Sequence, residues 1–169
     1  TWGTALGMAL AKNHHDICIW SCFPEETEHL AATRRHPHLP DSLIPDSVSF
    51  TNDLGTLACR ADYILAVVPS VFMRSTVREL VPFLESDTIL VSAAKGIESD
   101  TLMTLTEVIR DELQKGAKRN RVCALSGPTH AEEVARDMPT LIVSASEDVE
   151  AAESVQKLFE GTCIRPYIS

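Results

Sequence analysis

The sequence predicts an α/β fold: a doubly wound, mostly parallel sheet with helices on both faces and its first strand missing. Three observations predict it. Short runs of Ile, Leu, Val and Ala alternate along the chain with segments whose apolar residues recur every three or four positions. Several of those runs lack polar alternation, as parallel strands buried on both faces do. The chain also opens on Thr1-Trp2-Gly3-Thr4-Ala5-Leu6-Gly7, which reads as the tail of a glycine-rich turn running into a helix.

The elements follow in order. The opening helix stops at Asn13-His14-His15, and Asp16 to Trp20 is a short strand. Pro24 suits a first helical position, with Glu25 and Glu26 at the positive helix end, and that helix runs to about Arg35. Pro37, Pro40 and Pro45 mark a loop. Val48 to Thr51 reads as a strand, and Asn52-Asp53 caps a short helix through Cys59. Tyr63 to Val68 is a buried strand ending at Pro69-Ser70. Met73, Val77, Leu80, Val81 and Leu84 then trace a helix face. Thr88 to Ala93 is the next buried strand. Leu102, Leu105, Val108, Ile109 and Leu113 mark a helix closed by Gly116. Val122 to Leu125 is a strand, followed by a helix from about His130 to Arg136. Thr140 to Ser144, a helix from Asp148 with Val149, Ala152, Val155 and Phe159 inward, and a strand from Cys163 to Ile168 complete the chain. Residues 1–169 read as one domain, without an internal linker or repeat.

Composition narrows the function. The 169 residues carry a net charge of −9, and no basic stripe exists to neutralise a nucleic-acid backbone. No apolar run is long enough to insert across a bilayer. Five cysteines, Cys18, Cys22, Cys59, Cys123 and Cys163, form no C-x-x-C pair and fit buried free thiols of a reducing cytoplasm. His14-His15 and His36/His38 lack acidic or thiol partners at ligand spacing, so no metal site is expected.

Ligands of open α/β sheets sit beyond the carboxyl ends of the strands. Three segments fall there: Pro69-Ser70-Val71-Phe72, Lys95-Gly96-Ile97-Glu98 and Ser126-Gly127-Pro128-Thr129. Gly3 stands where the last glycine of a dinucleotide fingerprint falls, so Thr1, Trp2 and Gly3 are candidates to meet a pyrophosphate. Ser21, Cys22 and Phe23, just past the second strand of such a unit, would meet the adenosine ribose. Lys95 places a positive charge where it can hold an anionic substrate or polarise a carbonyl, or else is a solvated strand-end lysine. Thr129 is either a helix N-cap, with Glu132 three residues on, or a substrate contact shared with Gly127. Phe72 is core, or a flat wall for a cofactor ring.

Together these motifs resemble the N-terminal domain of the bacterial-type NAD(P)-dependent sn-glycerol-3-phosphate dehydrogenases. The resemblance rests on Thr1-Trp2-Gly3-Thr4-Ala5-Leu6, Val68-Pro69-Ser70 with Arg74, Ala94-Lys95-Gly96-Ile97-Glu98, Ser126-Gly127-Pro128-Thr129 with Ala131 and Glu133, and Pro139-Thr140. It implies a Rossmann-like fold and reversible hydride transfer between NAD or NADP and dihydroxyacetone phosphate, giving sn-glycerol 3-phosphate for glycerophospholipid synthesis. It also implies a cytoplasmic protein that is a homo-oligomer when full length. Thr1 and Trp2 would lie on the pyrophosphate turn, Phe72 beside the nicotinamide and Ala131 against the cofactor. Lys95 would be the catalytic residue touching cofactor and substrate, and Gly127 and Thr129 would touch substrate. Three departures accompany it. The family's general acid/base lysine and phosphate-gripping arginine belong to a C-terminal helical domain absent from this chain, so the chain alone should not turn over. Cys22 stands where the family usually has an arginine able to pair with the NADP 2′-phosphate. Arg35 and His38 replace an asparagine and a tyrosine of a family loop. Another two-domain hydroxyacid dehydrogenase, or a nucleotide-binding module without catalysis, are the alternative readings.

Overall fold

The computed structural model describes residues 1–169. Its strands are β1 (Cys18–Trp20), β2 (Ser49–Thr51), β3 (Tyr63–Ala66), β4 (Ile89–Ser92), β5 (Val122–Ser126), β6 (Thr140–Ala145) and β7 (Ile164–Ile168). The helices between them are α1 (Trp2–Ala11), α2 (Pro24–Thr33), α3 (Leu54–Ala58), α4 (Ser70–Leu80), α5 (Leu105–Lys115), α6 (Ala131–Ala135) and α7 (Val149–Leu158). A 3₁₀ turn, Val81–Phe83, extends α4.

The strands form two ladders. β1 pairs with β2 in parallel, and a second sheet runs β3-β4-β5-β6-β7. No strand pairs with both β1 and β3, so the layer breaks there. Every pairing is parallel except one: β5 and β6 run antiparallel, with Ser126 opposite Val143. A short α6 between them lets β6 return beside β5, where a parallel neighbour needs a longer crossover.

Successive residues of a strand point to opposite faces, and two cores result. Ile89, Val91 and Ala93 enter one core with α1, Val134 of α6 and Ala151, Val155 and Leu158 of α7. Leu90 enters the other, with Leu54 of α3, Met73 and Val77 of α4, and Val108 and Ile109 of α5. β4 is therefore buried along its whole length, as its unbroken apolar sequence requires. β3 is not: only Ile64 is fully buried, because β3 borders the break.

Local chemistry sets the ends. Asp53 caps α3 by accepting from the Thr56 N–H, and Asp148 caps α7 by accepting from Ala151. Thr104 and Glu107 form a reciprocal capping box at the start of α5. That box moves the helix start past Leu102, which lies outside α5, 71% exposed and at φ 61°. Val149 likewise sits at the exposed start of α7, and Ala151 and Leu158 join the inward face instead. Gly116 ends α5 at an ordinary negative φ, and Ala117 takes the left-handed turn. Cys123 is buried and Cys18 and Cys163 partly so, but Cys22 and Cys59 are exposed because they fall just after β1 and α3 rather than within them.

Candidate functional site

The carboxyl ends of β3, β4 and β5 and the first turn of α1 meet along one rim. The Trp2 indole N–H donates to the Ala93 carbonyl at 3.0 Å, fixing the start of α1 beside the exit of β4. Gly3 lies against Val67; a Cβ there would stand 2.8 Å from a Val67 methyl. Lys95 Nζ donates to the Thr129 carbonyl at 3.3 Å, joining the segments after β4 and β5. Trp2, Lys95, Gly127, Thr129 and Ile142 line one narrow cleft. A larger cleft of about 540 Å³ surrounds Arg110, Lys118, Arg119 and Arg121. It opens at the amino end of β5, opposite the end where ligands of such sheets bind.

Each candidate has a place on this rim or beside it. α1 begins at Thr1 without a side-chain cap and with no acidic residue in its first turn. Its first backbone N–H groups therefore have neither a side-chain cap nor an acidic residue within the first turn, which suits a pyrophosphate. Phe72 is 58% exposed on the first turn of α4, which excludes the core reading and leaves a free aromatic face. Ala131 opens α6 and packs against the core beneath α1. Gly127 passes so close to β6 that a Cβ would lie 2.9 Å from the Leu141 carbonyl. Thr129 is not the N-cap of α6; His130 holds that position and no side chain caps the helix. Thr129 is instead buried, with its carbonyl turned to Lys95.

The ribose end lies after β1. Ser21 Oγ donates to the Glu26 carboxylate and accepts from the Phe23 N–H, while Asn52 Nδ2 donates to the Ser21 carbonyl at 2.8 Å. Cys22 and Phe23 are both exposed there. No lysine or arginine occurs between Lys12 and Arg34.

A feature that spacing alone does not reveal lies behind Lys95. Arg74 of α4 forks onto Glu98, with Nε to Oε1 and Nη2 to Oε2 both at 2.7 Å. Its other amino group meets Asp111 and Glu112 of α5. Arg78 and Lys115 complete the network on Glu112. The Arg74 fork, with a further hydrogen bond from Thr101, holds the Glu98 carboxyl down at about 2. Hydrogen bonds from Arg78, then Arg74 and Lys115, hold Glu112 at about 2 against the burial that opposes its charge. The signal in sequence was Arg74 and Glu98 as separate motif residues; their pairing needs the fold.

The comparisons with known proteins bear on this rim. Residues 1–152 match the family model described as the NAD-dependent glycerol-3-phosphate dehydrogenase N-terminus. The chain belongs to the NAD-dependent glycerol-3-phosphate dehydrogenase family. Within that family it is 48% identical over 169 residues to a glycerol-3-phosphate dehydrogenase [NAD(P)+] of Lactobacillus delbrueckii subsp. bulgaricus, covering 99% of this chain and 50% of the relative. It is 41% identical to the glycerol-3-phosphate dehydrogenase [NAD(P)+] of Syntrophotalea carbinolica, covering 51% of it. The crystal structure of glycerol-3-phosphate dehydrogenase from Coxiella burnetii superimposes with a TM-score of 0.90 at 26% identity, over 99% of this chain and 50% of that one. The chain thus spans about half the length of the glycerol-3-phosphate dehydrogenases it matches. The Rossmann-like fold expected from the sequence is the fold of this family's N-terminal domain.

Proposed function

We propose that this chain is the nucleotide-binding half of an NAD(P)-dependent glycerol-3-phosphate dehydrogenase, which interconverts dihydroxyacetone phosphate and sn-glycerol 3-phosphate for glycerophospholipid synthesis. The observation that carries the reading is the convergence of the α1 N-terminus, Lys95 and the Gly127–Thr129 segment on one rim, in a chain of this family. Residues 1–169 act as one nucleotide-binding unit, and a second, helical half supplies the remaining substrate contacts. Five unpaired thiols support a cytoplasmic setting, and the full-length protein is read as a homo-oligomer. No helix here is long and apolar enough to cross a membrane.

The chemistry follows from positions. When bound, the nicotinamide supplies the hydride. The start of α1 holds the pyrophosphate through its uncapped N–H groups. Trp2, tied to Ala93, keeps that helix start in register with the strand that delivers Lys95. The Lys95 ammonium sits beside Thr129 and contributes positive charge where a carbonyl oxygen gains negative charge. Gly127 lets the segment after β5 pass directly against the Leu141–Ile142 backbone, where no side chain fits, and so brings Thr129 beside Lys95. Proton delivery and the second grip on the phosphate fall to the other half of the protein.

The test is steady-state oxidation of reduced nicotinamide by the full-length protein with dihydroxyacetone phosphate. Turnover is expected; reduction of unphosphorylated keto acids alone would overturn the reading. The ribose end gives a second expected outcome. Glu26 beside Ser21, in a stretch without lysine or arginine from Asn13 to Thr33, suits a free 2′-hydroxyl and repels a 2′-phosphate. NADH should therefore bind at least about tenfold more tightly than NADPH in a direct titration, about 1.4 kcal/mol. Equal affinities would show that Glu26 does not face the ribose.

A further inference from the structure

We propose that Arg74 and Glu98 form a positioning clamp that holds Lys95 at its working place, so that α4 sets both the aromatic wall and the substrate-side ammonium. The inference rests on the functional reading of Lys95 given above.

The segment after β4 has little to hold it by burial. Lys95, Gly96 and Ile97 are all exposed. Its geometry comes from polar ties. Gly96 adopts φ +107°, a conformation open to glycine, and packs so near Ser70 that a Cβ would lie 3.2 Å from Ser70 Oγ. Two residues on, the Glu98 N–H donates to the Met103 carbonyl and the Leu102 N–H donates back to the Glu98 carbonyl. Ile97 bridges to Thr104, the cap of α5. These bonds make a compact loop but do not by themselves fix it against the sheet. The fork from Arg74 does: two parallel hydrogen bonds from a planar guanidinium onto one carboxylate set orientation as well as distance. Thr101 Oγ1 donates to the same carboxylate at 2.5 Å.

Arg74 is itself held from the other side. Its remaining amino group reaches Asp111 and the buried Glu112, so the guanidinium cannot swing without breaking contacts to α5. Phe72, the exposed aromatic, lies two residues before Arg74 on the same helix, and Ser70, which touches Gly96, opens that helix. Two residues along a helix is more than half a turn, so Phe72 and Arg74 point to different sides. One rigid rod thus presents a flat ring to one side and grips the Lys95 segment on the other. A change at Glu98 should act on Lys95 without touching any ligand.

The test uses the full-length protein and three variants. Glu98→Gln removes the charge and weakens the fork. Thr101→Val is a gentler change at the same carboxylate. Arg78→Ala removes a neighbouring arm of the network that reaches Glu112 but not Glu98. For Glu98→Gln, kcat/KM for dihydroxyacetone phosphate should fall about 10- to 100-fold, the scale of a misplaced group near the chemistry, while NADH affinity stays within about twofold. Thr101→Val should shift it in the same direction by less. Arg78→Ala should lower the melting temperature yet leave kcat/KM unchanged. Hydrogen exchange should quicken at the Gly96–Glu98 amides in Glu98→Gln and not in Arg78→Ala. If Glu98→Gln lowers only the melting temperature, as Arg78→Ala does, the clamp is merely structural and the proposal fails. A kinetic loss without faster exchange also overturns it, since the carboxylate would then act by another route. If the unaltered protein shows no turnover with dihydroxyacetone phosphate but exchange still quickens in Glu98→Gln, the clamp stands and the functional reading falls.

Discussion

Lys95 shows how much one residue depends on what surrounds it. By sequence it is a lysine at a strand end, charged or merely solvated; the fold sets its ammonium against the Thr129 carbonyl, beside the opening of α1. Lys95→Ala in the full-length protein should lower kcat by about 100-fold or more, as loss of a preorganised charge does. The check is single-turnover kinetics alongside NADH titration, and an unchanged rate would return Lys95 to the solvent. His36 supplies a residue-scale prediction of another kind. Its ring is 5% exposed, and Nδ1 accepts from the His38 backbone N–H at 3.1 Å. A proton on Nδ1 would break that bond, and burial pushes the imidazole down to about 4 from 6.5. Below pH 6.5 the unfolded chain therefore takes up the proton before the folded one does. Stability attributable to His36 is complete above pH 6.5 and is lost as pH falls toward about 4. Urea titrations across that range should show the decline, and His36→Gln should remove it.

At the scale of elements, α4 and α5 are joined by charge as much as by their apolar faces. Glu112 is 2% exposed and meets Arg74, Arg78 and Lys115. Removing that carboxylate leaves Arg74 with Glu98 and Asp111, Lys115 with Asp111 and Arg78 open to solvent, so the cost is that of lost hydrogen bonds to a charged group, about 1.5–3 kcal/mol. Glu112→Ala should show a loss of that order in chemical denaturation. The pH sign follows from the depressed carboxyl. Between pH 4.5 and about 2 the unfolded chain protonates this glutamate while the folded chain keeps it ionised. Its stabilisation is present above pH 4.5 and disappears as pH falls to about 2. The strand of contact between Gly127 and β6 gives a packing prediction. Gly127→Ala puts a methyl 2.9 Å from the Leu141 carbonyl and 3.0 Å from Ile142 Cα. Overpacking of this sort costs about 1–3 kcal/mol, and the melting temperature should fall accordingly. Helix faces were legible where apolar spacing was unbroken, as with Met73, Val77 and Leu80 or Val108, Ile109 and Leu113. Helix starts were less so: the capping box at Thr104 excluded Leu102, and His130 displaced Thr129, because caps answer to local hydrogen bonds rather than periodicity.

For the whole molecule, the alternating order of elements made the two-faced layer readable, as the unbroken apolar run of β4 lies between two cores, though the equally apolar β3 at the break does not stay fully covered. The rim was readable for the same reason: glycine-bearing segments directly after buried strands come to one end of the layer. What sequence could not supply was pairing across distance. The Arg74–Glu98 fork joins residues 24 apart, and nothing local announces it. The reversal of β6 was equally hidden, because an antiparallel strand and a parallel one carry the same composition here. That reversal has a mechanical outcome. Three residue pairs, from Ala124–Ala145 to Ser126–Val143, stitch β6 to β5, whereas five pairs weld β6 to β7. β6 is thus tied more extensively to β7 than to β5, and its Ile142, buried in the core, lines the cleft. Because Gly127 lies on the β6 backbone and Thr129 of the same segment meets Lys95, the seam between β5 and β6 fixes the spacing of the cleft's two sides.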